Sequence, residues 1–204
     1  MNIAIFPARP RKARGQGASR RGEILEAAKR LFLEEGVEHA TMRRIAAAVG
    51  VSPTALYVYF PDKNAILQAI AESMFTEFLA VHAKTQQSEG MPLERLRAGL
   101  HAYIGLGLAR PDEYRLTFST MRVGHACPKV ATAVQSFEKL EEGVAEMMAA
   151  GLFAPRDVTL VAEALWATIH GIVIILLDRP EHIVSDRQTL IDTLVDAAIR
   201  GFSA

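Results

Sequence analysis

Apolar residues recur at helical spacing along most of the chain, and this pattern predicts an all-α protein. The first such segment follows Ser19, which can cap a helix, and ends at Gly36. Its apolar stripe consists of Ile24, Leu25, Ala28, Leu31 and Phe32. An Asn-Gly hairpin signal and a sustained alternation of apolar and polar positions are both absent from the sequence, so β-strands are not expected.

The same spacing predicts six more helices after residue 61. Short stretches rich in Gly, Pro or polar residues separate them. The helices are expected over residues 62–86, 92–109, 112–122, 128–150, 156–178 and 185–201. No internal repeat of fixed period is present, which argues against a solenoid.

Between these two regions, the sequence predicts two short helices joined by a tight turn. Thr41 can cap the first helix, and Gly50 supplies the left-handed conformation that ends it. Ser52 can cap the second helix, and Pro53 occupies its first position, where a missing N–H costs nothing. This is the helix-turn-helix pattern, whose second helix presents its N-terminal residues to the major groove of DNA.

The side chains of this pair divide into a core set and an exposed set. Ile45, Leu56 and Phe60 are predicted core residues, and the alanines at 46–48 would let another helix approach closely. The exposed set can meet bases and phosphates through hydroxyl, methyl and cationic groups. The predicted DNA-binding residues are Thr41, Arg43, Arg44, Ser52, Pro53, Thr54, Ala55, Tyr57, Tyr59 and Lys63.

The charge distribution supports an anionic partner for the front of the chain. Formal net charge is zero, but residues 1–63 hold eleven Lys/Arg against six Asp/Glu, and residues 64–204 hold twelve against seventeen. Residues 1–18 mix Pro, Gly and basic residues without periodicity, which predicts a flexible basic tail. This tail is either a solubilising segment or an arm that contacts a DNA groove or phosphates.

Residues 41–67, TMRRIAAAVGVSPTALYVYFPDKNAIL, resemble the DNA-binding domain of TetR-family transcriptional regulators, together with the helix Glu23–Glu35 in front of them. The resemblance implies base or backbone contacts by Arg43, Thr54, Ala55 and Tyr57, and a phosphate contact by Lys63. It also implies a dimer of all-helical subunits with a ligand-binding C-terminal domain. Further along, PDEYRLTFS and WATIHG are similar to a TetR subclass with a Trp-x-x-x-His-Gly motif.

We therefore expect three parts: the tail over residues 1–18, a three-helix DNA-binding domain over 19–66, and a larger ligand-binding and dimerisation domain over 67–204. In the larger domain, polar or adaptable side chains on apolar faces are candidates for an effector pocket. The predicted ligand-binding residues are Phe78, Tyr103, Phe118, Met121, Arg122, His125, Phe137, Trp166 and His170, with Met74 and Met147 as further candidates. Each is also explained as an ordinary core or surface residue.

Two apolar helices in the second half of the chain indicate a homodimer. Residues 158–177 are apolar on more than one face, so this helix needs cover from two sides. The last helix has core spacing at Leu190, Ile191, Leu194, Val195, Ala198 and Ile199. A two-fold four-helix bundle would cover these faces, although burial of both helices within one monomer remains an alternative.

Several other classes of protein find little support in the sequence. The six histidines form no i, i+4 pair, and neither a nucleophile motif nor a phosphate-binding glycine loop occurs, so no metal, cofactor or catalysis is expected. Cys127 cannot form an intrachain disulfide, because it is the chain's one cysteine. Residues 164–177 are too short a run to span a membrane, which predicts a cytoplasmic protein without a membrane partner.

The main hypothesis is a regulator, a repressor, that binds a palindromic operator as a homodimer and is released by a small apolar or amphipathic effector. An enzyme or small-molecule-binding protein that uses the C-terminal cavity is the alternative. A helical interaction module without a DNA role is a third hypothesis.

Overall fold

The computed structural model describes residues 17–87, 89–119 and 130–204. Within these ranges the secondary structure is helical apart from one isolated antiparallel bridge between Phe153 and Ser203, which confirms the all-α prediction. The chain divides into two compact units, of which the first ends at Ile70 and the second begins at Ala71.

The described residues form helices whose bounds follow the predicted segments closely. They are α1 (Gly17–Glu35), α2 (Met42–Val49), α3 (Pro53–Tyr57), α4 (Lys63–Gln86), α5 (Pro92–Ala109), α6 (Pro111–Ser119), α7 (Ala131–Ala149), α8 (Val158–Asp178) and α9 (Arg187–Arg200). The division between the units falls within α4.

Several helix boundaries differ from the sequence expectation by two or three residues. The predicted cap at Ser19 is wrong, because α1 begins at Gly17 and Ser19 lies inside the helix. α7 begins at Ala131 instead of residue 128, and α8 begins at Val158 instead of residue 156, because Asp157 caps it by accepting a hydrogen bond of 2.9 Å from the Leu160 backbone N–H.

The last helix begins at Arg187 because Asp186 caps it, accepting a hydrogen bond of 2.9 Å from the Thr189 backbone N–H. A 3-10 turn over Pro180–His182 precedes it, in a stretch that the sequence predicts to be a separator. The described part of α6 ends at Ser119, and the predicted continuation to residue 122 lies outside the described residues.

The first unit forms a small core around one face of each of its helices. In α1 the successive turns bury Ile24, Ala28 and Phe32, which are three of the five apolar stripe residues, whereas Leu25 and Leu31 are partly exposed. This core also contains Ala27, Ala40, Ile45, Ala46, Leu56, Phe60, Ile66, Ala69 and Ile70. Burial of these side chains, which removes apolar surface from water, is what holds the short helices in place.

In the second unit, α8 is the central element. It packs against α5, α7 and α9, and α5 in turn packs against α6, α7 and α9. The buried side chains of α8 are Val161, Ala162, Leu165, Ile169, Ile172, Val173 and Leu176. Among the described helices, α8 is long and apolar enough to cross a membrane by length and composition, a test that core helices of soluble proteins also pass.

Tyr114 of α6 and Val173 of α8 both lie close to Gly107 of α5. A Cβ atom at this position would lie 2.9 Å from Tyr114 Cε2 and 2.9 Å from Val173 Cγ1. Both distances are shorter than a normal carbon–carbon contact, and Tyr114 is completely buried. The lack of a side chain at Gly107 therefore allows Tyr114 to occupy the core.

We predict that Gly107→Ala lowers the free energy of unfolding by about 1–3 kcal/mol, because the added methyl overpacks the core. Gly105→Ala in the same helix is the control, since a Cβ added there would meet nothing within 4 Å and helix propensity favours alanine by up to about 1 kcal/mol. Urea unfolding followed by circular dichroism measures both. Equal stabilisation by the two substitutions would contradict the close approach.

Candidate functional site

The turn between α2 and α3 has the caps that the sequence predicts. Thr41 Oγ1 accepts a hydrogen bond of 3.3 Å from the Arg44 backbone N–H. Gly50 has a left-handed conformation, with a φ of 72°. Its N–H donates to the Ala47 carbonyl over 3.1 Å, and the Val51 N–H donates to the Ala46 carbonyl over 2.9 Å. These two bonds form a Schellman motif, which ends α2 and redirects the chain.

A second cap begins α3 two residues after Gly50. Ser52 Oγ accepts a hydrogen bond of 3.1 Å from the Ala55 backbone N–H, and Pro53 is the first helical residue. The helix is short and ends at Tyr57. Because α2 and α3 are in contact, the two helices and their turn form one helix-turn-helix.

The structure separates the α3 side chains as expected. Leu56 and Phe60 are buried, which supports their interpretation as core residues. Thr54 is exposed, Tyr57 is 52% exposed and Val58 is 81% exposed, so this surface is open to a partner. Val58, which is not among the predicted contact residues, adds a large apolar side chain to this surface.

The other predicted contact residues of α2 and α3 differ in exposure. Thr41, Arg43, Arg44, Ser52 and Pro53 are exposed, whereas Ala55 and Tyr59 are partly buried. Of the three consecutive alanines, Ala46 is buried and the next two are exposed. One turn of helix cannot place three consecutive side chains on one face, so only Ala46 belongs to the buried face of α2.

The three basic residues among the predicted DNA contacts differ in their partners. Arg43 has no ion pair or hydrogen bond to the described residues, so its guanidinium is available to a phosphate or a base. Arg44 pairs with Glu35. The Lys63 ammonium donates to the Val37 carbonyl over 2.5 Å and lies 3.5 Å from the Glu38 carbonyl, so it also stabilises the α1–α2 connection.

A cavity of about 320 Å³ lies within the second unit, between side chains of α4, α5, α6, α7 and α8. Its wall is mostly apolar. Among the predicted ligand-binding residues, those that line it are Phe78, Tyr103, Phe118, Phe137 and Trp166. His170, Met74 and Met147 do not line it, and Met121, Arg122 and His125 lie outside the described residues.

Most of the cavity wall was not predicted from the sequence. The additional lining residues are Phe75, Leu79, Val81, His82, Gln86, Arg95, Leu96, Gly99, Leu100, Ala133, Ser136, Lys139, Leu140, Gly143, Glu163 and Ile169. Most of them recur at spacings of three or four on their helices, which is the pattern of any buried helix face. Only the approach of four other helices to α4 turns such faces into a cavity, so the sequence carried no direct signal for them.

His170 belongs to a hydrogen-bonded chain behind the cavity wall. Its Nδ1 lies 2.6 Å from the Tyr114 hydroxyl, which lies 3.1 Å from the Tyr103 hydroxyl. The Trp166 Nε1–H donates to the Tyr103 hydroxyl over 3.3 Å. The His170 ring also stacks on Trp166, with ring centroids 5.1 Å apart. His170 does not line the cavity itself. Its ring stacks on Trp166, and its Nδ1 is linked through Tyr114 to Tyr103; Trp166 and Tyr103 both line the cavity.

Burial keeps this chain of groups uncharged. Burial raises the pKa of Tyr103 to about 12 and raises the pKa of Tyr114 further. Burial also lowers the pKa of His170, because a protonated imidazole would lose its solvation there. The described residues contain no cluster of three or more side chains that could hold a metal ion.

A capped helix-turn-helix with an exposed basic surface, followed by a helical unit that contains a mostly apolar cavity, defines a helix-turn-helix regulator of the two-domain helical type. Residues 24–70 match the model of the bacterial regulatory proteins of the tetR family, and residues 96–198 match that of a tetracyclin repressor-like C-terminal domain. The chain belongs to the TetR family, as the resemblance predicted.

Individual relatives match parts of the chain. The HTH-type transcriptional repressor Rv1474c of Mycobacterium tuberculosis is 32% identical over 105 residues, which are 52% of this chain and 49% of that protein. The HTH-type transcriptional repressor KstR2 of the same species is 35% identical over 83 residues, 41% of this chain and 42% of that protein. The matched segments thus span about half of these relatives' length or less.

Solved structures share the fold over nearly the whole chain. A protein of unknown function from Rhodococcus sp. RHA1 is 25% identical, with a TM-score of 0.78 over 95% of this chain and all of that one. A TetR family transcription regulator from Marinobacter aquaeolei VT8 is 22% identical, with a TM-score of 0.72 over 94% of this chain and 99% of that one.

The lowered pKa of His170 predicts that acid destabilises the second unit. The unfolded imidazole takes up a proton as pH falls below its ordinary pKa of 6.5, whereas the folded one resists protonation, so this contribution to stability is present above that pH and is lost below it. Urea unfolding at pH 7.5 and pH 5.0, followed through Trp166 fluorescence, measures the loss. In His170→Gln the loss should be smaller, and an equal loss in both proteins would contradict this prediction.

Proposed function

We propose that the protein is a ligand-responsive transcriptional repressor that binds a palindromic DNA operator as a homodimer. The observation that carries this proposal is the exposed surface of the helix-turn-helix: Arg43 of α2 is exposed and has no partner among the described residues, and α2 contacts the capped α3 helix. The names of the relatives, which are HTH-type transcriptional repressors, support the repressor role.

The exposed side chains would make different kinds of contact with the operator. Thr54 and the partly exposed Ala55 begin α3 and are small enough to approach base edges, where a methyl group can contact thymine. Tyr57 can donate a hydrogen bond to a phosphate, and Arg43 supplies a charge. Lys63 retains a free donor beyond its two carbonyl contacts, so it can serve both the connection and a phosphate.

The exposed face of α8 supports the homodimer. Leu160 and Ile175 are exposed, and the residues between them on the same side of the helix are Ala164, Ala167 and Gly171. Small residues between two larger apolar ones allow a second helix to approach closely. In α9, Leu190, Leu194 and Ala198 are only partly buried, which leaves apolar surface for a two-fold partner.

The cavity supports regulation by a small apolar or amphipathic effector. An effector shifts the equilibrium between two subunit arrangements only to the extent that it binds one of them more tightly. Binding in the second unit would favour an arrangement whose recognition helices no longer fit both half-sites. As part of this proposal, we assign the regulator to the cytoplasm and assign it no catalytic activity.

The test of the DNA contacts uses the DNA upstream of the gene, inspected for an inverted repeat and measured by gel shift or fluorescence anisotropy. Arg43→Ala should weaken operator binding and reduce the magnitude of the salt slope by about 1, because one phosphate contact is lost. Arg30→Ala, an exposed arginine of α1, is the matched control. Unchanged binding in Arg43→Ala would remove this residue from the interface.

Tyr57→Phe tests the hydroxyl separately from the ring. The loss of one hydrogen bond should weaken operator binding by about fivefold, while helicity by circular dichroism stays the same. If the wild-type protein binds no fragment of its upstream DNA, or binds with an affinity that does not change with salt, the proposed function is wrong.

A further inference from the structure

Five aromatic rings form a continuous wall at one side of the cavity. Phe78 stacks on Tyr103 with ring centroids 4.3 Å apart, and Phe75 lies 6.0 Å from Phe78 and 5.8 Å from Phe118. Phe118 lies 6.5 Å from Trp166. All five rings line the cavity. Ring faces carry negative electrostatic potential, so such a wall attracts a cation that has been removed from water.

The polar groups of this wall are neutral and already partnered. The Trp166 Nε1–H and the Tyr103 hydroxyl bond to each other, and the Tyr103 hydroxyl bonds onward to Tyr114. Because burial raises the pKa of Tyr103 to about 12, the phenol keeps its proton at neutral pH. The wall thus offers a ligand ring surface rather than a charge.

Among the described residues that line the cavity, two side chains are cationic, and each is held by a carboxylate. Lys139 Nζ lies 2.7 Å and 2.6 Å from the two carboxylate oxygens of Glu142. Arg95 lies 2.6 Å from Glu146 and also donates to the Gly90 carbonyl over 2.8 Å. Both positive charges are therefore compensated before any ligand enters.

Among the described residues, the remaining ionisable groups of the wall shift the charge balance toward negative charge. Burial and the neighbouring Lys139 lower the pKa of His82, so this imidazole stays neutral. Glu163 has no hydrogen-bond or ion-pair partner among the described residues. It lies three residues before Trp166 on α8, and side chains at this spacing are neighbours on a helix surface. Because Glu163 is exposed, its uncompensated carboxylate stands at the open side of the cavity, next to the aromatic wall.

We propose that the effector is a lipophilic cation, an organic ammonium with an apolar body, bound with its charge between Glu163 and the aromatic rings of the cavity. The carboxylate supplies the counter-charge, and the rings replace the water lost by the ammonium. The cavity of about 320 Å³ lies at the lower end of the range of ~300–1,000 Å³ for ligand pockets, so it suits a compact ligand. This inference depends on the proposed function only where it calls the ligand an effector, because the binding itself is a property of the second unit.

The test compares two probes of similar shape and opposite charge, benzyltrimethylammonium and benzylsulfonate, with the full-length protein. The chain's one tryptophan is Trp166 in the cavity wall, so its fluorescence reports occupation directly, and calorimetry gives the affinity independently. The ammonium should bind at least tenfold more tightly than the sulfonate. Equal or tighter binding of the sulfonate, or no binding of either probe, would overturn the inference.

Glu163→Gln keeps the size of the side chain and removes its charge. The affinity for benzyltrimethylammonium should fall by about five- to tenfold, and the affinity for benzylsulfonate should not fall. Glu138→Gln, at an exposed position of α7 outside the cavity wall, is the matched control and should leave both affinities unchanged. An unchanged ammonium affinity in Glu163→Gln would show that the charge does not recognise the ligand.

Operator binding by the same unliganded preparation separates this inference from the proposed function. If the protein binds its operator but prefers the sulfonate, the inference fails and the repressor function stands. If the protein binds the ammonium in a Glu163-dependent way but no operator, the repressor function fails and the cation site stands. Release of the operator by the ammonium, weakened in Glu163→Gln, would support both.

Discussion

The left-handed turn at Gly50 is the constraint on which the DNA-facing surface depends. Its two hydrogen bonds end α2 and turn the chain so that Ser52 can begin α3 two residues later. Leu56 and Phe60 then anchor this short helix in the core. A helix of five residues has little stability of its own, so the turn and the two anchors must fix its position.

The second unit contains a cavity, and the polar groups of the aromatic wall of this cavity are hydrogen-bonded. Gly107 leaves room for Tyr114 between α5 and α8, and the Tyr114 hydroxyl then connects Tyr103 with His170. Each hydroxyl of this chain of groups has a partner, so burial does not carry the cost of an unsatisfied group. The result is an aromatic wall whose polar groups are hydrogen-bonded to one another.

Charge in the two units is arranged for opposite partners. The first unit exposes Arg43 without a counter-ion among the described residues, which suits a polyanion. Among the described residues that line the cavity of the second unit, Arg95 and Lys139 are neutralised by carboxylates, whereas Glu163 has no such partner. The formal net charge of the whole chain is zero and does not show this difference between the two units.

The sequence by itself determined the all-α class, the number and order of the described α-helices with their ends to within about three residues, the TetR family and the caps at Thr41, Gly50 and Ser52. These features follow from local rules, because caps, turns and apolar spacing act within a few residues of one another. Tertiary structure alone decided that Lys63 holds the α1–α2 connection and that Glu163 lies in the cavity wall. Such roles depend on which distant helices meet, and the free energy of that packing is not encoded in any single segment.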